Sequence, residues 1–143
     1  MMEDSEIIKL RHFATIFRAA ILKSNRGLLI KSLRNFPNGS CSDTSILLAR
    51  FMIEKECGYF QRMFGEKIDG THVWLSQNGI IVDITASQFG KNIDSVIVTR
   101  DHSWHNMFTV VEEKDSDIEY IRLSSPHIYA QLNSSYDEIL SKL

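Results

Sequence analysis

The chain is 143 residues long, 43% of them hydrophobic and 24% charged, the mix of a single domain built around one core. At this size about two thirds of the unfolded chain's surface can be buried, so the fold needs neither a metal nor a disulfide to hold it. Sixteen Lys and Arg against eighteen Asp and Glu leave a formal charge of -2, which argues against nucleic acid as a partner, because such binders carry a basic excess on one face.

Met1 to Lys9 is acidic and polar, unlike a signal peptide, and no stretch approaches the about 18 apolar residues of a spanning helix, so no membrane association is expected. Two cysteines, Cys41 and Cys57, are too few for a disulfide framework and suit a reducing, cytoplasmic compartment. From Ile7 to Ser24 apolar residues recur at spacings of three and four, the stripe of an amphipathic helix. After Asn25-Arg26-Gly27, Leu28 to Leu33 reads as a second, short helix closed by Pro37-Asn38-Gly39, so the first quarter is expected to be a helical hairpin. Ser40 with Asp43 three residues on resembles a capping box, and the helix it would start at Cys41 is apolar nearly all round, the mark of a helix buried on most sides.

Beyond Gly58 the pattern turns to strands. Thr71 to Gln77 and Ile80 to Thr85 are joined by Asn78-Gly79, two residues that accept the positive φ of a type I′ turn. Ser95 to Thr99, Phe108 to Glu112 and Ile118 to Leu123 read as further strands, and Ser134 to Leu143 as a short terminal helix. Glu112, Glu113, Lys114, Asp115 and Asp117 read as an exposed acidic turn between two strands. The expected architecture is α+β, a single domain over residues 1–143 with N-terminal helices and a buried Cys41 helix packed on an antiparallel sheet.

A two-residue hairpin loop fixes the register, with Gln77 opposite Ile80. Val73, Leu75, Ile80, Val82 and Ile84 then share one face, and His72, Trp74, Ile81, Asp83 and Thr85 the other. His72 and Asp83 become diagonal neighbours, with Cα atoms about 7–8 Å apart, within reach of an imidazole–carboxylate hydrogen bond. Cys41 lies in the first turn of a helix, where the positive end of the dipole favours a thiolate. Cys41, His72 and Asp83 thus read as nucleophile, base and orienter, with Trp74 packed beside the imidazole. Free N–H groups at the helix start, the side chains of Asn35 or Asn38, Ser42 and Gln88 are candidates for an oxyanion site or the cleft around it.

Asn38-Gly39-Ser40-Cys41-Ser42 before an apolar helix, then Thr71-His72-Val73-Trp74-Leu75, then Ile81 to Phe89, resembles the Cys…His…Asp order of the papain-like and transglutaminase-like cysteine hydrolase superfamily. The resemblance spans about Asn35 to Phe89. It is similar in particular to compact bacterial papain-fold domains, some of which are toxin modules of secreted effectors. It implies a papain-like fold and a thiol enzyme acting on a protein amide or ester without a cofactor, as a protease, deamidase or transglutaminase-like transferase. It also implies an inhibitor or immunity protein as partner, and delivery into a target cell as an alternative location. Ser42 stands where papain-like peptidases usually carry an aromatic residue, and His72 follows far sooner than their usual spacing of more than a hundred residues, so a two-lobed peptide cleft is not expected.

Two rival readings remain. One is a non-catalytic protein-binding module in which the three residues are structural. The other is a metal hydrolase centred on His72, Asp83 and the histidines of Asp101-His102-Ser103-Trp104-His105; that loop has no cysteine pair or third histidine at recognisable spacing, and no metal is expected there. Cys57, near a helix end, reads as a packed small hydrophobe.

Overall fold

The computed structural model describes residues 4–116 and 118–143; Asp117 of the acidic run and the first three residues lie outside them. The architecture is α+β, with four helices packed on a five-stranded antiparallel sheet. Helix α1 (Ser5–Lys23) is capped by Asp4, whose Oδ1 accepts the Glu6 N–H, and it buries Ile7, Leu10, Ala14, Phe17, Ala20 and Ile21 as its periodicity predicts. The expected second helix is replaced by two single 3-10 turns, Arg26–Leu28 and Lys31–Leu33. Tertiary anchoring overrides helix propensity there: Leu29 and Leu33 are drawn into the core, and the Ile30 N–H donates to Ser135 Oγ at 2.7 Å instead of continuing a helical ladder.

Helix α2 (Cys41–Glu54) starts at Cys41 and is buried nearly all round. Its capping box does not form. Ser40 Oγ donates to the Pro37 carbonyl and Asp43 accepts from Ser32 Oγ, so no side chain caps the start of α2.

The sheet contains β1 (Gln61–Lys67), β2 (Gly70–Gln77), β3 (Ile80–Asp83), β4 (Ile97–Thr99) and β5 (Thr109–Asp115), in the spatial order β4-β3-β2-β1-β5. The central hairpin has the expected register, Leu75 opposite Val82 and Gln77 opposite Ile80, with Asn78 at φ 50° and Gly79 at φ 78°. Strand β1 has no counterpart among the sequence expectations. Its polar residues mask an inner strand, and Gly65 within it is required by close packing: a Cβ there would lie 2.6 Å from Phe108 Cβ and 2.8 Å from the Trp74 ring.

The acidic run is an edge strand and not a turn: Glu112 to Asp115 pair with β1, and all seven residues of β5 are exposed. Charged side chains on an open edge discourage pairing with other chains. Ile118 to Leu123 is helical, not a strand, within α3 (Ile118–Ser124). Its β-branched composition yields to a helical period, for Ile118 and Ile121 both pack against the main core while Arg122 and Glu119 pair on the outside at 2.6 Å. Helix α4 (Pro126–Leu140) begins earlier than expected, with Pro126 at its first turn, and covers the core with Leu132, Tyr136 and Ile139.

All this aliphatic packing lies on one side of the hairpin. Leu75, Ile80, Val82 and Ile84 join the core made by α1, α2 and α4. The other side carries a separate, smaller cluster of Trp74, Ile81 and Phe108, edged by Met63 and Trp104.

Candidate active site

Three elements converge on His72. Strand β2 carries it on the aromatic side, β3 carries Asp83 diagonally across the hairpin, and the first turn of α2 brings Cys41. The carboxylate Oδ2 of Asp83 lies 2.7 Å from His72 Nε2, as the register requires. Cys41 lies beside the imidazole, where His72 and the Val73 backbone N–H both favour its thiolate. The side chains are deeply placed: His72 is 0% and Asp83 2% exposed, while Cys41 is half-buried.

Burial alone would suppress charge on all three groups, and in each case the partners outweigh it. Burial pushes the Cys41 thiol up, but the hydrogen bond and charge of His72 and the Val73 N–H bring it below its usual value. Burial pushes His72 down, yet Asp83 and Cys41 hold its imidazolium up to about 9. Asp83, which burial would raise, is held below the ordinary carboxylate range by bonds from His105 and His72. These shifts favour the ion-pair form of the site, a thiolate beside an imidazolium beside a carboxylate, over its neutral form. Cys57 offers the contrast: burial raises its thiol and only the charge of Lys9 opposes.

Aromatic rings enclose the imidazole. Trp74, Phe89, Trp104 and Phe108 have centroids 5.7, 5.1, 5.9 and 5.6 Å from that of His72. They exclude water from the His72–Asp83 bond and so strengthen it. Gln88 sits at the mouth: its Oε1 accepts the Gly39 N–H at 3.3 Å, which fixes the amide's orientation and turns Nε2 to within 3.5 Å of His72 Nδ1. A protonated Nδ1 and an amide NH₂ are both donors and cannot bond to each other, so the pair presents two neighbouring donors. Ser42 is half-buried in the first turn of α2. Asn35 and Asn38 are exposed in the preceding turn, Asn38 next to the Gly39 whose N–H meets Gln88, and among the described residues neither side chain is hydrogen-bonded to Cys41, His72 or Gln88.

One participant enters the sequence reading only in the rival metal-hydrolase grouping with His72 and Asp83, never as a partner of the thiol site. His105, 3% exposed, places Nε2 2.7 Å from the same Asp83 Oδ2 that holds His72. The adjacency of β4 to β3 carries the chain at 100–108 back over Asp83, and no local motif announces it. His102 is elsewhere, its Nε2 on the Gly79 carbonyl at 2.7 Å, and Asp101 accepts from Ser103. The Asp101, His102 and His105 set is therefore not assembled. His72, Asp83 and His105 are the one trio among the described residues whose donor atoms are close enough to share a metal ion. Both Nε2 atoms stand at hydrogen-bond distance from one oxygen, which suits N–H donors on a carboxylate.

No protein-family model matches the chain, and neither a curated protein nor a solved structure matches it significantly. Among the described residues no helix is long and apolar enough to cross a membrane.

Proposed function

We propose that the protein is a thiol enzyme that transfers an acyl group from a protein amide or ester, with Cys41 as nucleophile, His72 as acid and base, and Asp83 as orienter. One observation carries this reading: the thiol at the uncapped start of a buried helix sits beside an imidazole whose Nε2 is held by a buried carboxylate. The Cys41 thiolate attacks the carbonyl carbon, forming a C–S bond and an oxyanion. Donors at the α2 start and Gln88 Nε2 supply its hydrogen bonds. Collapse breaks the bond to the leaving amine or alcohol, which takes its proton from His72. Neutral His72 then removes a proton from water or an acceptor amine, which attacks the thioester; the C–S bond breaks and the thiolate returns.

The test uses p-nitrophenyl acetate as an activated acyl donor and iodoacetamide as an alkylating probe, each followed by intact-mass analysis. Cys41 should acylate and alkylate at neutral pH much faster than Cys57, and Cys41→Ala should abolish both reactions without changing the far-UV spectrum. Equal reactivity of the two cysteines removes the reading. A non-catalytic binding module predicts no acylation. A metal hydrolase centred on His72, Asp83 and His105 predicts loss of activity on chelation and indifference to alkylation. With protein substrates, a gain of about one dalton marks deamidation, a split marks proteolysis and a joined mass marks transfer.

A further inference from the structure

His105 is a buried histidine with one polar attachment. Its Nε2 meets Asp83 Oδ2, and Nδ1 has no partner among the described residues. A histidine kept only to fill the aromatic cluster would need no bond to the carboxylate that orients His72, and burying a second imidazole unbonded would cost more than burying a phenyl ring. Instead two imidazoles share one carboxylate oxygen, while the other, Oδ1, accepts from the Thr85 N–H at 3.0 Å. Each donor stabilises the ionised carboxylate and lowers its affinity for a proton.

We propose that His105 is a positioning residue of the thiol site, bonding Asp83 Oδ2 alongside His72 so that the carboxylate stays ionised and oriented while the proton resides on His72. The inference rests on the thiol-enzyme reading for its role in turnover, and on geometry alone for the bond. The sign of its effect follows from the chemistry. With the second donor gone, Asp83 is a stronger base and the His72–Asp83 pair keeps its proton to higher pH. The other charged groups facing the network are Cys41 from α2, Lys67 from β1, whose Nζ lies 5.8 and 5.6 Å from the centroids of Phe89 and Phe108, and Arg11, Asp94 and Asp101 around a cavity of about 450 Å³ that His105 lines. The carboxylate itself is held by His72, His105 and Thr85, so the Asp83 bond is the route by which His105 acts.

The experiment is an NMR titration of the His72 ring. His105→Phe should raise its midpoint by about one pH unit, and His105→Gln, which keeps an N–H donor, should return it toward the native value. In an Asp83→Asn background His105→Phe should have no further effect. An unchanged midpoint in His105→Phe, or a change that survives in Asp83→Asn, overturns the proposal. Should His105→Phe not fold, the native protein still decides: two downfield imidazole N–H signals should move with one shared inflection near His72's titration, and a His105 signal that stays put overturns it. Neutral His72, the base of the second half-reaction, becomes about tenfold scarcer at pH 7 when the midpoint rises by one pH unit. Steady turnover of p-nitrophenyl acetate should fall about tenfold accordingly while iodoacetamide alkylation holds. Failure of the thiol reading itself would show as absent acylation of native Cys41, a result separate from the titrations.

Discussion

The two faces of the central hairpin are built from alternate residues of the same strands, yet they do different work. Leu75, Ile80, Val82 and Ile84 look into the main apolar core shared with α1, α2 and α4. His72, Trp74, Ile81 and Asp83 look the other way, into a smaller cluster where rings surround a chain of polar atoms. The first face gains stability from burial alone. The second buries two histidines and a carboxylate, which is tolerable only because each satisfies another. Alternation along a strand thus separates the part that folds the protein from the part to which the chemistry is proposed to belong. Helix α2 bridges them, for its body belongs to the core while its first residue reaches His72.

If the separation holds, damage to one face should spare the other. The largest effect is expected on the helix-packed side. Phe51, fully buried with its ring 4.9 Å from that of Phe17, should cost about 3–5 kcal/mol when changed to Ala. Denaturant unfolding would measure the loss, and the Cys41 alkylation rate of the folded variant should stay within a few-fold of native. A parallel collapse of reactivity would show the faces to be coupled. On the opposite face, Asp83→Asn removes the charge that holds the proton on His72. Alkylation of Cys41 at neutral pH should slow by about ten- to a hundredfold, equivalent to about 1.4–2.7 kcal/mol; a native rate would detach Asp83 from the thiol.

Gly65→Ala sharpens the comparison from the backbone. The added Cβ would press on Phe108 and Trp74 and should cost about 1–3 kcal/mol, with the near-UV aromatic spectrum changing more than the far-UV. The most gradual effect is in pH. His72's folded value, about 9, lies above its unfolded value near 6.5, so its contribution is complete below 6.5 and lost as pH rises through about 9. His72's share of the unfolding free energy should fall across that window by up to about 1.4 kcal/mol per pH unit, the lowered Cys41 thiol opposes it with a share that rises with pH, and His72→Gln should remove the falling share.

The site was legible wherever geometry follows from counting. Asn78-Gly79 sets the register, the register sets the faces, and the faces bring His72 to Asp83. The α1 stripe and the start of α2 at Cys41 were legible for a similar reason, since period and turn chemistry agree there. Elsewhere a long-range partner decides. Strand β1 is polar because it lies between β2 and the exposed β5, and its glycine answers to rings from other strands. Ile118 and Ile121 become helical because both reach the core from one side. Ser40 and Asp43 find Pro37 and Ser32 in place of each other, which leaves the α2 start uncapped. His105 depends on strand order, the property least visible in local sequence.

The two tryptophans of the chain, Trp74 and Trp104, both lie against the His72 ring. An imidazolium in contact with an excited indole quenches its emission, and a neutral imidazole does so much less. The intrinsic fluorescence of the protein is therefore sensitive to the proton on His72, with the His105 ring, 4.9 and 4.8 Å from Trp74 and Trp104, as a second neighbour that His105→Phe removes. Emission should brighten as His72 deprotonates, and it should change again when an acyl or alkyl group on Cys41 removes the thiolate that helps hold that proton in place. The protonation state of the site can be followed in real time with no label and no substrate.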